Sequence, residues 1–220
     1  FKQACRSMRI KKEIFGSRVH LIDPLARSGV RFSWGSMSAE SGRASIAYLN
    51  KAMDLIREKA IDCLVTAPIS KEAVYLAGFH FTGHTEYFAE RTRSSRIVMM
   101  LLNDKLRMSL VTRHIPLKDV SSAINANSLR MVISVTIEAL RHYFGIPKPR
   151  VVICGINPHA SDNGIIGKEE GTVIKPLLSK PFGSGVRIDG PMSADAAIQK
   201  ALQGNYDAVN PRNRRTDVLP

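Results

Sequence analysis

The sequence predicts an α/β fold with a largely parallel sheet, and three observations predict it. Short apolar runs of strand length recur at 61–66, 97–102 and 150–157. The last, Arg150-Val151-Val152-Ile153-Cys154-Gly155-Ile156-Asn157, carries no charge after its first residue, as expected of a strand covered on both faces. Between these runs lie stretches with helical spacing of apolar residues, and Gly, Pro, Asn and Ser mark the joins. Strands alternating with helices in this way build a parallel sheet.

Taken in order, the serine-rich Gly35-Ser36-Met37-Ser38-Ala39-Glu40-Ser41-Gly42 delivers a helix with Ser38 or Ser41 as its cap. Ala44, Ala47, Tyr48, Ala52, Leu55 and Ile56 recur along that helix. No G-x-G-x-x-G or P-loop lysine accompanies the loop, so it carries no nucleotide signature of its own. Ile61-Asp62-Cys63-Leu64-Val65-Thr66 reads as a buried strand stopped by Pro68. Ser70 then caps a helix through Ala77 that ends at Gly78. A helix is expected from His84, with Thr85 as a cap and Glu86 favourable in its first turn. Ile97–Leu102 and Leu106–Thr112 form a hairpin around Asn103-Asp104-Lys105, and 127–143 is a long helix with His142 in its last turn. Beyond the 150–157 strand, 169–178 is helical. The stretch 183–190 is a connector, a helix runs through Ala201 and Leu202, and Tyr206–Val209 opens a final strand.

With 220 residues, 44% hydrophobic and 23% charged, the chain is long enough for one large domain or two small ones. Its net charge of +13 is spread over short clusters such as Lys11-Lys12 and Arg214-Arg215, and aromatics are only 6%. That distribution predicts a solvated basic surface rather than a nucleic-acid partner. No apolar stretch approaches the roughly 18 residues a membrane span needs, and no signal-peptide pattern opens the chain. Cys5, Cys63 and Cys154 lack a C-x-x-C pair. The expectation is a cytoplasmic protein with Cys63 and Cys154 reduced and buried.

Three histidines stand among turn-forming residues rather than in apolar runs: His84 in Phe81-Thr82-Gly83-His84-Thr85-Glu86, His114 in Thr112-Arg113-His114-Ile115-Pro116, and His159 in Asn157-Pro158-His159-Ala160. Strand exits are where open α/β sheets carry their chemistry. Neutral imidazoles there can ligate a metal, or equally can satisfy loop backbone, and the spacing alone does not choose. Lys71 follows a strand and a Pro turn at a helix start, an arrangement suited to an anion.

At these residues the sequence closely resembles the 4-hydroxythreonine-4-phosphate dehydrogenase family of pyridoxal phosphate biosynthesis. The resemblance rests on Thr66-Ala67-Pro68-Ile69-Ser70-Lys71, on 81–91, on 112–120, and on Cys154-Gly155-Ile156-Asn157-Pro158-His159-Ala160. Gly167-Lys168-Glu169-Glu170 and Gly190-Pro191-Met192-Ser193-Ala194-Asp195 complete it, all in family order. It implies an isocitrate/isopropylmalate-dehydrogenase-like two-domain fold with largely parallel sheets. Residues 1–83 would be part of the first α/β domain, 84–209 the second, carrying metal and substrate residues, and 210–220 a disordered basic tail outside the family pattern. It further implies a homodimer with active sites at the subunit interface, NAD as cofactor, and a divalent metal such as zinc, magnesium or cobalt. By the same resemblance His84 and Thr85 bind substrate, His114 and His159 are metal ligands, and Lys71 and Asp195 are catalytic groups of the cleft.

The implied reaction is NAD-dependent oxidation of a secondary alcohol on a phosphorylated hydroxy-amino acid, after which the 3-oxo acid loses carbon dioxide. A divalent ion on that hydroxyl would lower its pKa and polarise the product carbonyl. The sequence departs from the family at both ends, so a chain truncated at both ends is expected. A Gly-Asp-Pro-Ala-Gly-type loop is absent before Phe1, and Val209 is followed by Asn-Pro-Arg-Asn-Arg-Arg, as in a frameshift. A third metal histidine would fall near Arg214. Alternative readings are a paralogue oxidising threonate or erythronate 4-phosphate, a catalytically dead remnant that retains ligand binding or dimerisation, and a basic nucleic-acid-binding protein.

Overall fold

The computed structural model describes residues 20–210, other than 27, 30–32, 34 and 82. Two units divide the chain, Phe1–Gly83 and His84–Pro220. In the first, helix α1 (Ala39–Arg57) starts at a reciprocal cap: Ser38 Oγ accepts from Ser41 N at 3.2 Å, and Ser38 N donates to Ser41 Oγ at 3.1 Å. Both serines singled out in the sequence serve that cap. Helix α2 (Lys71–Leu76) is capped by Ser70, whose Oγ accepts from Ala73 N, and Gly78 at φ +84° ends it. Ala44, Ile46, Leu49 and Met53 of α1 and Ala73 and Val74 of α2 are buried.

The predicted buried strand at 61–66 does not form. Val65 is 93% exposed and Cys63 is exposed rather than buried. A parallel strand needs neighbours to complete its ladder, and no strand occurs among the described residues of this unit. Apolar composition alone cannot supply the missing partners.

The second unit holds the sheet. Helix α3 (His84–Thr92) begins at His84, so Thr85 lies inside its first turn instead of capping it. Strands β1 (Met99–Leu102) and β2 (Arg107–Leu110) pair antiparallel as the expected hairpin, with Asn103 Oδ1 accepting from Lys105 N and Leu106 N, each at 2.9 Å. A 3₁₀ turn (Leu117–Asp119) leads through α4 (Val120–Ala123) into α5 (Ala126–His142), capped by Asn125. Strand β3 (Arg150–Cys154) follows. A π-helical turn (Glu170–Ile174) runs into α6 (Lys175–Leu178), then come β4 (Arg187–Met192), α7 (Ala194–Leu202) and β5 (Ala208–Asn210).

The sheet order is β1-β2-β5-β3-β4, and β2, β5, β3 and β4 are mutually parallel. Period-two alternation divides its two faces. Val151, Ile153 and Ala208 pack with Leu129, Ile133, Ile137 and Leu140 of α5, while Val152, Cys154 and Val209 pack with Ala197 and Ala201 of α7. The unit is therefore a helix–sheet–helix sandwich, which is why 151–154 is apolar without alternation. Short β5 is held in the middle by Asp207, whose carboxylate accepts from Arg150 N at 2.8 Å and from Arg150 Nη2 at 2.9 Å.

Strand β4 occupies a stretch whose sequence predicts a connector over 183–190. Its Gly190-Pro191 pair reads as a breaker, but β4 lies at the edge of the sheet, where a proline costs no ladder bond on the open side. Gly190 sits at φ +132°, and a Cβ there would stand 2.5 Å from Ile153 O, so only glycine allows β4 this close to β3. Asn210, assigned from sequence to the tail, closes β5 and is buried. The rest of the predicted tail, 211–220, lies outside the described residues.

Candidate active site at the carboxyl edge of the sheet

Because β2, β3 and β4 run the same way, the segments that follow them leave the sheet at one edge. His114 comes four residues after β2, His159 five after β3, and Asp195 three after β4. The central strand β5 ends at the same edge in Asn210, 2% exposed, whose side-chain oxygen and nitrogen both lack hydrogen-bond partners. Helix α3 joins this edge through Glu86. Its Oε1 accepts from Arg113 Nε at 3.3 Å and lies 3.4 Å from His114 Nδ1. Five of the sequence-predicted positions, His84, Thr85, His114, His159 and Asp195, therefore belong to the elements gathered at this edge.

Burial pushes the Glu86 carboxyl up. Hydrogen bonds from its own backbone N–H, His114 and Arg113 outweigh that and hold it below the usual range. Glu86 thus stays ionised and fixes one ring nitrogen of His114, leaving Nε2 free for a ligand. His114 has φ 53°, a left-handed backbone that turns its ring out of the line of β2. On α3, His84 stacks on Phe88 at 6.1 Å between ring centroids, and its Nε2 is buried with no partner. A buried, unmet ring nitrogen in the first turn of a helix at a sheet's carboxyl edge is suited to receiving a substrate group.

The His159 loop is held more firmly than its sequence suggests. From His159 to Asn163, five consecutive residues have φ between 46 and 68°, a left-handed turn that L residues rarely sustain. Asn157 clamps its base. Its backbone N–H donates to Glu170 Oε1 at 2.6 Å, and its Nδ2 donates to Glu169 Oε2 at 2.8 Å and to Glu170 Oε2 at 2.9 Å. Glu170 is fully buried. Burial pushes its carboxyl up, and the Asn157 bonds, backbone first, bring it below the ordinary value. Glu169 is held at about 2 by hydrogen bonds from Ser121 and Asn157 and from backbone N–H groups. Gly167, at φ +98°, lets the chain pass Asn157, since a Cβ there would lie 2.4 Å from Nδ2. In the sequence Asn157, Gly167, Glu169 and Glu170 stand in the family-like motifs with no individual role attached. The signal available was a Glu-Glu pair shortly after an Asn-Pro that ends a buried strand.

Asp195, at the start of α7, is held below the usual carboxylate range by the Ser193 hydroxyl and the Ala196 N–H, with a smaller contribution from the charge of His159. Cys154, buried at the end of β3, is pushed up to about 12 by burial and by Asp195, so it remains a thiol. Lys71 is the first residue of α2, in the other unit, and is exposed. Among the described residues no three of His, Cys, Asp and Glu gather into a group that could hold a metal ion. The imidazoles present therefore do not by themselves fit a divalent ion, and a complete ligand set requires a donor from outside the described residues. No helix among those residues is long and apolar enough to cross a membrane.

A 4-hydroxythreonine-4-phosphate dehydrogenase of Desulforapulum autotrophicum is 39% identical over 175 residues, 80% of this chain and 52% of that protein. One from Sulfurihydrogenibium sp. is 41% identical over 167 residues, 76% of this chain and 52% of its own. The crystal structure of 4-hydroxythreonine-4-phosphate dehydrogenase from Klebsiella pneumoniae superposes with a TM-score of 0.76 at 33% identity, covering 84% of this chain and 55% of that one. The chain thus spans about half the length of the relatives it matches. It shares their isocitrate/isopropylmalate-dehydrogenase-like α/β fold. The family model for the pyridoxal phosphate biosynthetic protein PdxA matches residues 3–210, and the chain belongs to that dehydrogenase family.

Proposed function

We propose that this chain serves the NAD-dependent oxidation of 4-hydroxythreonine 4-phosphate in pyridoxal 5'-phosphate biosynthesis, with decarboxylation of the 3-oxo acid that results. The observation that carries the proposal is the gathering of His84, Thr85, His114, His159 and Asp195 on elements at one edge of a parallel sheet. In this reading His84 Nε2, unmet and buried, and the Thr85 hydroxyl beside it hold the substrate's polar groups. His114, oriented by Glu86, and His159, oriented by the Asn157 clamp, are two ligands of a divalent cation (zinc, magnesium or cobalt). The set is completed outside the described residues. Asp195 is ionised at neutral pH and suits the substrate's ammonium group. Lys71 is assigned to catalysis by family resemblance. NAD, when bound, would accept hydride from the carbinol carbon, while a base would take the hydroxyl proton.

A homodimer with its active sites at the subunit interface and a cytoplasmic location belong to the same proposal. The test is NADH formation by the purified chain with NAD, a divalent metal, and 4-hydroxythreonine, threonate or erythronate 4-phosphate in parallel. Turnover chiefly of the amino-acid phosphate supports the reading, and turnover chiefly of the sugar-acid phosphates reassigns the substrate. A cooperatively folded chain that forms no NADH from any of them overturns it.

A further inference from the structure

Behind the His159 loop lies a pocket of about 250 Å³ that the proposed chemistry does not use, lined by Ser161, Asn163, Gly164, Lys168, Gly171, Thr172 and Lys175. None of its polar groups carries a negative charge. Two ammonium groups, two hydroxyls and a carboxamide line it, and no carboxylate does. Asp162 lies between Ser161 and Asn163 in the chain and is exposed but is not part of the lining, Glu169 accepts from Ser121 and Asn157, and Glu170 accepts from Asn157. Neither Lys168 nor Lys175 has a charge partner among the described residues, although both stand on one short stretch of chain. Ser161 is the independent pointer. It is 3% exposed, yet its hydroxyl has no hydrogen-bond partner among the described residues, and it sits in the pocket wall. A hydroxyl in the wall of a pocket with no protein partner is available to donate to whatever enters it. Gly171, with nothing within 4 Å of where a Cβ would be, keeps the mouth open.

We propose that this pocket binds a phosphoryl group, with Lys168 and Lys175 neutralising its charge and Ser161 donating to one of its oxygens. Clustered cations with hydroxyl donors and no acid match a tetrahedral dianion, and the volume suits a phosphate or a small phosphomonoester. Ser161 belongs to the same left-handed turn as His159, so an occupant would bear on the turn that presents that imidazole. The inference stands on the pocket's own groups and does not depend on the dehydrogenase reading.

The test is binding, not activity. The full chain is titrated with inorganic phosphate and, separately, with glycerol 3-phosphate, at constant ionic strength and with chloride as the control anion. Binding is followed by calorimetry and by the phosphorus resonance of the ligand. Saturable binding of either ligand is expected, and the arm that binds more tightly tells free phosphate from an esterified one. K168A/K175A should weaken it by about a hundredfold, roughly tenfold per lysine. S161A should weaken it several-fold, and K168R/K175R should retain it. Circular dichroism verifies the fold of each variant. No saturable binding in either arm overturns the proposal, as does an unchanged Kd in folded K168A/K175A, which would assign the binding to the general basic surface.

Discussion

Replacing Glu170 by Gln removes one charge and almost no volume from a fully buried position, and the Asn157 clamp sets the cost. In the folded chain one carboxylate oxygen accepts from Asn157 N at 2.6 Å and the other from Asn157 Nδ2 at 2.9 Å. Charge-assisted bonds contribute about 1.5–3 kcal/mol each, and neutral ones about 0.5–1.5 kcal/mol. Glutamine keeps a carbonyl for the backbone N–H, so that bond weakens by about 1 kcal/mol. Its amide nitrogen then faces Asn157 Nδ2, donor against donor, and leaves a buried donor unmet at about 1–3 kcal/mol. E170Q should therefore lower stability by about 2–4 kcal/mol in urea unfolding followed by far-ultraviolet circular dichroism. The His159 ring resonance should shift and broaden, because its turn loses its base. The control is E138Q, which breaks the ion pair with Arg96 between side chains 62% and 56% exposed and should change stability by under about 0.5 kcal/mol. If E170Q costs no more than E138Q and leaves the His159 resonance in place, the clamp does not hold the loop.

Three further outcomes follow from the same geometry. Gly167→Ala should cost about 1–3 kcal/mol and disturb the His159 resonance, since the added Cβ meets Asn157 Nδ2 at a backbone angle of +98°. Thermal or urea unfolding measures it. Acid unfolding should show protonation of Glu169. Its folded pKa, about 2, lies below the ordinary 4.5, so its contribution is complete above about 4.5 and is lost as pH falls toward 2. A pH series of urea midpoints reads that decline, and S121A, which removes the 2.6 Å bond the Ser121 hydroxyl donates to Glu169, should shrink it. Ile133→Ala, at a side chain with no exposure, should cost about 2–5 kcal/mol, whereas Val65→Ala, at 93% exposure, should be near neutral.

The contrast between Ile133 and Val65 marks where the sequence is readable. In α5, apolar residues at three- and four-residue spacing meet a sheet face, and the predicted helix forms within a residue of its expected start. Caps at Ser38, Ser70 and Asn125 and the Asn103 turn are local chemistry, complete within a few residues. At 61–66 the composition is equally strand-like, but a ladder requires distant partners, which a run of apolar residues cannot encode. Edge strand β4 was hidden for the opposite reason: Gly190 and Pro191 read as breakers until the sheet's edge and the close approach to Ile153 explain them.

By itself the sequence determined the α/β class, most helices with their caps, the central strands and the family motifs around His84, His114 and His159. Each is either short-range chemistry or a pattern carried in consecutive residues. The tertiary structure alone decided that β2, β3, β4 and β5 point the same way and bring those residues to one edge. It also decided that Glu86 orients His114 and that Asn157 ties the His159 turn to Glu169 and Glu170. These bonds join residues 12–28 positions apart, and hydrogen-bond geometry across such separations is set by how elements pack, which no local pattern records.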